Sequence, residues 1–462
     1  MTAGFRHLLT AGAERLADRV ALVSHEGRLT RRQLDHRAAV VAARLVTRGV
    51  KPGDRLALKL PNGPELAVGL LAGWTCGATV APLDPLLGAD ETRAILADLS
   101  PAAVLDVSDV IVATSAAESG PSAPHPVEAD APALVLYTSG STGRPKGAVL
   151  SHAAVEFANR SWAEDVMALT ADDVVLAALP LSHSYGLNGA LLAPLLVGAR
   201  VVVLERFTPE AALEAIARER VTLFPGVATM FHRILESGAF AVTDLRTLRL
   251  CVSGAAPLPW ELACRWRERT GIRILRGYGM TELFRPLSYL ARDPLEVPDA
   301  VGRPVPGVEI RLSEDGELLI RSPCAMQGYM NSPEETREAL RDGWFYTGDL
   351  ATLTPEGLVK IVGRKRERIL RGGYSVFPAE VEAVLLTHPA VAGAAVVGVP
   401  HAELGEEVAA FVTLRPGAAL EPNALVDYSR ERLAGFKYPR RVTVLDAFPK
   451  SATGKILKTR LG

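Results

Sequence analysis

The stretch of this sequence best suited to chemistry is Leu136-Tyr137-Thr138-Ser139-Gly140-Ser141-Thr142-Gly143-Arg144-Pro145-Lys146-Gly147. Hydroxyls, glycines and a lysine are set between two apolar, strand-like runs. Such a loop is built to hold phosphate: glycines let backbone N–H groups converge on an anion, hydroxyls donate hydrogen bonds, and Lys146 adds a point charge. The commonest phosphate loop, G-x-x-x-x-G-K-[ST], opens a helix. Here Pro145 takes the place of the glycine before the lysine, Gly147 stands where the Mg²⁺-binding hydroxyl belongs, and Ala148-Val149-Leu150 reads as a strand. A Walker-type nucleotidase is a poor match.

Four further motifs follow in order: Gly277-Tyr278-Gly279-Met280-Thr281-Glu282, Tyr346-Thr347-Gly348-Asp349, Gly363-Arg364, and Pro449-Lys450-Ser451-Ala452-Thr453-Gly454-Lys455. With the loop, they strongly resemble the adenylate-forming superfamily of acyl- and aryl-CoA synthetases, nonribosomal peptide synthetase adenylation domains and firefly luciferase. The motif style is closest to the acyl-CoA ligases, and the resemblance spans nearly the whole chain.

The resemblance implies an α/β fold: a large N-terminal AMP-binding domain (1–365) of two α/β subdomains and a β-barrel-like one, then a small mobile α+β domain (366–462). It implies two half-reactions, in which a carboxylate attacks the α-phosphate of ATP and pyrophosphate leaves, and a thiol then takes the acyl group as AMP leaves. The expected acceptor is coenzyme A, with loading of an acyl carrier protein as the alternative. Attack of one anion on another needs charge neutralisation, which a lysine and Mg²⁺ can supply. By resemblance Lys455 contacts the carboxylate, ribose and α-phosphate. Thr281 and Glu282 bind phosphate and Mg²⁺, although an ordinary Thr-Glu helix start is the plain alternative.

ATP contacts are likewise implied for Thr138, Ser139, Gly140, Ser141, Thr142, Gly143 and Lys146. Tyr278, with Gly279 and Met280, should cover one adenine face, and Gly254-Ala255-Ala256-Pro257 the other. Asp349 and Arg364 should receive the ribose hydroxyls. Arg366 matches the hinge position, where many relatives have Asp or Lys, and Gly372 and Gly373 match the loop through which the thiol enters.

The acyl pocket is expected to be lined by Leu181–Gly189, Gly226–Phe231, Cys251–Ala255 and Gly279–Ser288, with Gly226, Met230, Ser253 and Gly279 among its contacts. His183 matches a family histidine near the carboxylate, against the alternative of a buried structural one. Ser182-His183-Ser184-Tyr185 offers no Asp for an α-ammonium, which disfavours an amino-acid substrate. The apolar lining points to an aliphatic or aryl acid. Arg233, resembling the arginine of malonyl-CoA synthetases, and Arg285 leave a dicarboxylate open.

Elements that position these residues can be read around them. Apolar runs at Arg55–Leu60, Leu134–Tyr137, Val174–Leu179, Arg200–Leu204 and Leu248–Val252 alternate with helical stretches at Arg31–Val46 and Pro209–Arg220. This predicts α/β layers. Short strands are expected after Val301, and a compact α+β pattern from Ile369, with helices near Pro378–Leu386 and Asn423–Leu433. Ala113–Ala131 reads as a linker. Leu66–Leu83 is uncharged and long enough to span a bilayer, but Pro82 and the Ala-Thr-Val-Ala run predict a buried helix and strand instead.

Charge bounds the partners. Across 462 residues, 51 Lys+Arg against 52 Asp+Glu leave a net charge of −1, so no global field draws nucleic acid or an anionic membrane. The N-terminus lacks a continuous apolar signal stretch, and the four separated cysteines fit neither a disulfide framework nor a zinc site. A cytoplasmic location is the expectation.

Overall fold

The computed structural model describes residues 4–10, 16–115, 123–139, 145–294, 296–449 and 456–461. The chain divides into two compact units, one of residues 1–310 and 320–345, the other of residues 311–319 and 346–462. Both combine helices with strands, in keeping with the α/β fold class read from the sequence.

The first unit is organised on two large sheets. One runs, in order, through Ile274–Leu275, Leu250–Ser253, Leu223–Gly226, Val174–Ala177, Arg200–Val203, Val20–Ser24 and Gly27–Thr30. Its central strands are parallel and wholly buried, which explains why they read as unbroken apolar runs rather than as alternating ones. The other runs through Gly328–Tyr329, Pro145–Ser151, Pro132–Ser139, Thr79–Pro82, Arg55–Leu58 and Ala103–Leu105. Its Pro132–Ser139 and Pro145–Ser151 strands form the antiparallel hairpin that carries the phosphate loop, pairing Thr138 with Lys146.

Helices cover these sheets for local reasons. Thr30 starts Arg31–Thr47 through a capping box, its side chain accepting from Gln33 N while the Gln33 side chain accepts from Thr30 N. The uncharged stretch splits as expected, into the fully buried helix Pro64–Thr75 and the buried strand Thr79–Pro82. The break falls at Gly77, whose φ of +75° ends the helix, and Pro82 merely closes the strand. A Cβ on Gly69 would lie 3.0 Å from Leu60, so the small residue serves close helix–sheet approach. Among the described residues no helix is long and apolar enough to cross a membrane.

The second unit is built on the sheet Tyr374–Val376, Ile369–Arg371, Gly405–Leu414 and Val391–His401, with Arg441–Val444 added on Gly405–Leu414. The helices Pro378–Leu386 and Pro422–Arg430 supply Val381, Leu385 and Leu425 to its core beside Val396, Val408 and Val412. Ahead of this sheet, Trp344–Leu353 pairs antiparallel with Val359–Arg364, setting Asp349 opposite Arg364.

Candidate active site

Gly277–Met280 and Phe284–Ser288 form an antiparallel hairpin in the first unit, with Gly277 opposite Ser288 and Met280 opposite Phe284. Thr281 and Glu282 therefore sit in a tight strand-to-strand turn and not at a helix start. Phe284 holds φ +53°, a left-handed conformation that costs energy for an aromatic residue. Thr281 is buried and Glu282 half-buried.

Glu282 is fixed by a residue that sequence reasoning missed. The Tyr329 hydroxyl donates to Glu282 Oε1 at 2.8 Å. Tyr329 is placed by pairing with Ala148, in the strand that begins at Pro145. The Lys146 ammonium stands 5.5 Å from the Tyr329 ring centroid and pairs with Glu335 Oε1 at 2.7 Å. One tyrosine thus separates the lysine of the phosphate loop from the carboxylate of the second motif. Burial first, then the Glu282 carboxylate, push the Tyr329 hydroxyl well above its ordinary pKa, so it stays a donor. Lys146 holds the Glu335 carboxyl below its ordinary value, with Ser332 assisting. Nothing local in Gln327-Gly328-Tyr329-Met330 marks Tyr329 for this role, which comes from the strand pairing that brings it beside Glu282.

The four stretches expected to line the acyl pocket do meet. The Tyr185 hydroxyl lies 3.0 Å from Gly226 O and 2.8 Å from Val252 O, tying the helical turn to the ends of two parallel strands. Those strands are in register, Gly226 opposite Ser253. The ends of parallel strands are where open α/β sheets bind ligands. Tyr185 stacks on Trp162 at 5.6 Å and 19°; Trp162 opens the π-helical segment Trp162–Val166, and Tyr185 immediately precedes another, Gly186–Leu192. Such segments are frequent at functional sites.

Arg285 closes this cluster. Its Nη1 donates to Ser253 O at 3.0 Å and its Nε to Ser288 Oγ at 3.0 Å, while the guanidinium lies 4.9 Å from the Trp162 ring centroid. Arg285 is only 8 % exposed and Ser253 2 %. Burial lowers the Arg285 pKa to about 10, opposed by Tyr185 and Glu296, so it is a cation at neutral pH. Arg285 Nη2 and Ser253 Oγ are buried, with no hydrogen-bond partner among the described residues. Arg233 differs: it is exposed, 5.5 Å from the Phe207 ring centroid, although its helix neighbour Met230 is buried.

His183 reaches the surface, and the surrounding protein partly desolvates its ring. That desolvation lowers its pKa, and Asp84 opposes the shift, leaving the imidazole neutral at pH 7. Its Nδ1 accepts from Tyr185 N at 3.3 Å, so the ring's Nε2 carries the proton. Asn62, also missed, holds the preceding loop: its amide nitrogen donates to Leu179 O at 2.7 Å and its oxygen accepts from Leu181 N at 2.8 Å. Of the expected adenine walls, Gly254 is buried, Ala255, Ala256, Pro257 and Gly279 are exposed, and Tyr278 and Met280 are half-buried. Ala255 holds φ +63°.

In the second unit Arg364 Nε meets the buried Asp349 Oδ1 at 3.0 Å, as the paired motifs suggested. Asp349 N donates to Thr347 Oγ1 at 3.1 Å, and Thr347 Oγ1 donates to Leu318 O at 2.7 Å, so the Tyr-Thr-Gly-Asp motif fixes its own turn. Gly348 takes φ +70° and its N–H donates to Glu317 Oε1 at 3.0 Å. Gly372 and Gly373 have φ of +55° and +83° and form the two-residue turn of the hairpin pairing Arg371 with Tyr374. Two successive positive φ values are what such a turn requires. Gly140, Ser141, Thr142, Gly143 and Lys455 lie outside the described residues, and of Ser139 only the backbone is described.

Comparison with known proteins places this geometry. A family model described as AMP-binding enzyme matches residues 9–330, and one described as AMP-binding enzyme C-terminal domain matches residues 380–455. The chain belongs to the AMP-binding enzyme family. Among its relatives, the 3-[(3aS,4S,7aS)-7a-methyl-1,5-dioxo-octahydro-1H-inden-4-yl]propanoyl:CoA ligase of Mycobacterium tuberculosis (strain ATCC 25618 / H37Rv) is 36% identical, with 96% of each chain covered. A feruloyl-CoA synthase of Amycolatopsis sp is 37% identical, again over 96% of each chain. The solved structure of ATP-bound MatB from Rhodopseudomonas palustris superposes with a TM-score of 0.91 at 30% identity, covering 99% of this chain and 98% of that one. The resemblance read from five motifs is thus borne out by the family match over most of the chain.

Proposed function

We propose that this AMP-binding enzyme is an ATP-dependent acyl-CoA ligase: it joins a carboxylic acid to AMP with release of pyrophosphate, then passes the acyl group to coenzyme A. The observation that carries the reading is likeness along 96% of the chain to relatives named as CoA ligases and synthases. The local chemistry supports it, since a lysine and a carboxylate stand either side of Tyr329 at the mouth of the phosphate-loop hairpin.

Each half-reaction needs something these residues offer. Lys146 supplies positive charge to the triphosphate, and phosphate oxygens would compete with Glu335 for its ammonium. Glu282 and Thr281 present carboxylate and hydroxyl oxygens, a donor set that fits Mg²⁺, which binds through one or two carboxylates plus substrate phosphates. When bound there, Mg²⁺ would offset charge on the phosphates. Lys455 is assigned to the carboxylate and α-phosphate, and Asp349 with Arg364 to the ribose hydroxyls. His183, neutral with one ring N–H, can donate to a carboxylate oxygen.

Purified protein with ATP, Mg²⁺, coenzyme A and an acid library tests this reading. The expected result is AMP and pyrophosphate released together with a thioester, dependent on both acid and coenzyme A. AMP release only when holo-carrier protein replaces coenzyme A would overturn the choice of acceptor, and failure to exchange labelled pyrophosphate into ATP with any acid would overturn the reaction itself.

A further inference from the structure

We infer that Arg285 and Ser253 form a subsite for a second carboxylate on the acyl substrate, so that the acid activated here is a dicarboxylic one. The inference rests on the acyl-CoA ligase reading above and deepens it by naming the substrate class.

The argument starts from two unmet hydrogen-bonding groups in one place. Arg285 Nε and Nη1 are committed to Ser288 Oγ and Ser253 O, but Nη2 has no partner among the described residues, and neither has the Ser253 hydroxyl. Both atoms are buried. A buried donor left unpaired costs on the order of 1–3 kcal/mol, and more when it is charged. Here the deficit falls on a guanidinium with no carboxylate in ion-pair contact among the described residues. The face of Trp162 compensates part of that charge and no part of the missing hydrogen bond.

The guanidinium packs directly against two glycines. A Cβ on Gly254 would lie 3.1 Å from Arg285 Nη1, and a Cβ on Gly277 would collide with the guanidinium at Nη2. Their missing side chains leave the guanidinium its position. The site lies at the strand ends where Tyr185, Gly226 and Ser253 meet, within the expected acyl lining.

The missing partner must satisfy a cation and accept hydrogen bonds. A ketone or phenol oxygen would accept from Nη2 or from Ser253 but would leave the charge uncompensated. A carboxylate does both, offering negative charge and acceptor oxygens to Arg285 Nη2 and the Ser253 hydroxyl together. Exposed Arg233 has no such deficit, because water serves it.

The test compares matched acids that differ only at the far end, methyl, methyl ketone or carboxylate, over graded chain lengths, in the pyrophosphate-release assay with the full chain. The expected result is a kcat/KM for one dicarboxylic acid at least about 10²-fold above its methyl and ketone analogues, short of the roughly 10⁴-fold that a site built to pair a polar group can reach. In Arg285→Met that ratio should collapse towards one, through KM, and Arg285→Lys should recover part of it. Ser253→Ala should lower the ratio about tenfold, and it serves alone if Arg285→Met fails to fold. Wild-type preference for the methyl or ketone acid would overturn the inference. So would an equal loss for all acids in Arg285→Met, which would mark a structural arginine. If no acid is activated, it fails together with the ligase reading, whereas turnover of monocarboxylic acids alone sinks only the subsite.

Discussion

The hydroxyl of Tyr329 donates to Glu282 at 2.8 Å, while the ring of the same tyrosine faces the Lys146 ammonium at 5.5 Å from its centroid. A single side chain therefore sets the spacing between the cation of the phosphate loop and the carboxylate of the Gly-Tyr-Gly-Met-Thr-Glu motif. Removing the hydroxyl alone, in Tyr329→Phe, keeps the ring beneath Lys146 and frees the carboxylate. Partners that orient a metal-binding carboxylate typically change metal affinity by about 10–100-fold. We expect the Mg²⁺ concentration for half-maximal pyrophosphate release to rise by at least about tenfold, with unchanged thermal stability to within a few degrees. An unaltered Mg²⁺ requirement would show that Glu282 does not depend on this bond.

Gly279 is constrained by backbone. A Cβ there would collide with the carbonyl of Phe284 on the paired strand, an obstacle that no rotamer change can relieve. Gly279→Ala should therefore distort the turn that presents Thr281 and Glu282, and abolish adenylate formation while the rest of the fold persists. Activity loss of at least about 10²-fold is the expected outcome, the order seen when a preorganised group is displaced. A variant that retains wild-type turnover would show that the turn adjusts freely.

Much of this arrangement could be read from the residues. The buried parallel strands announced themselves as unbroken apolar runs, and Asp349 with Arg364 proved to be cross-strand partners, as the two motifs implied. What stayed hidden arises from long-range pairing. The hairpin conformation of Gly277–Met280 depends on Phe284–Ser288 across from it, so local propensity could not separate it from a helix start. Tyr329 gains its role from residues about 47 positions away in Glu282 and far more distant in Ala148. Arg233 and Arg285 were indistinguishable as letters; burial separates them, leaving one exposed and the other with an unpaired nitrogen.

Asp349 is almost fully buried, and Arg364 Nε, 3.0 Å from it, is its charge partner. Asp349→Asn keeps the shape but removes the charge and makes one of the two acceptor atoms a donor. If the carboxylate receives the ribose hydroxyls, KM for ATP should rise at least about tenfold, as expected for losing charge-assisted hydrogen bonds. Measuring KM for ATP and for the acid separately decides the matter. An effect confined to the acid would contradict the ribose assignment.

Acid stability offers a test independent of catalysis, centred on His152. Its ring is 2 % exposed, Phe5 N donates to its Nδ1 at 3.3 Å, and the Trp74 ring lies 6.1 Å away. Burial lowers its pKa from 6.5 to about 4, with His7 adding a smaller push in the same direction. The neutral ring is thus the form the fold accepts, and protonation would also remove the acceptor that Phe5 uses. Between pH 6.5 and 4 the unfolded chain binds more protons at this site than the folded one. The stability contributed is fully present above pH 6.5 and is lost as pH falls towards 4. At about 1.4 kcal/mol per unit, moving from pH 7 to 5 should cost about 2 kcal/mol through this residue. His152→Gln retains a side-chain acceptor without the titration. Urea unfolding of both proteins at the two pH values should show a smaller acid loss in the variant, since the carboxylates are common to both. Parallel losses would mean that His152 is protonated in the folded protein without penalty.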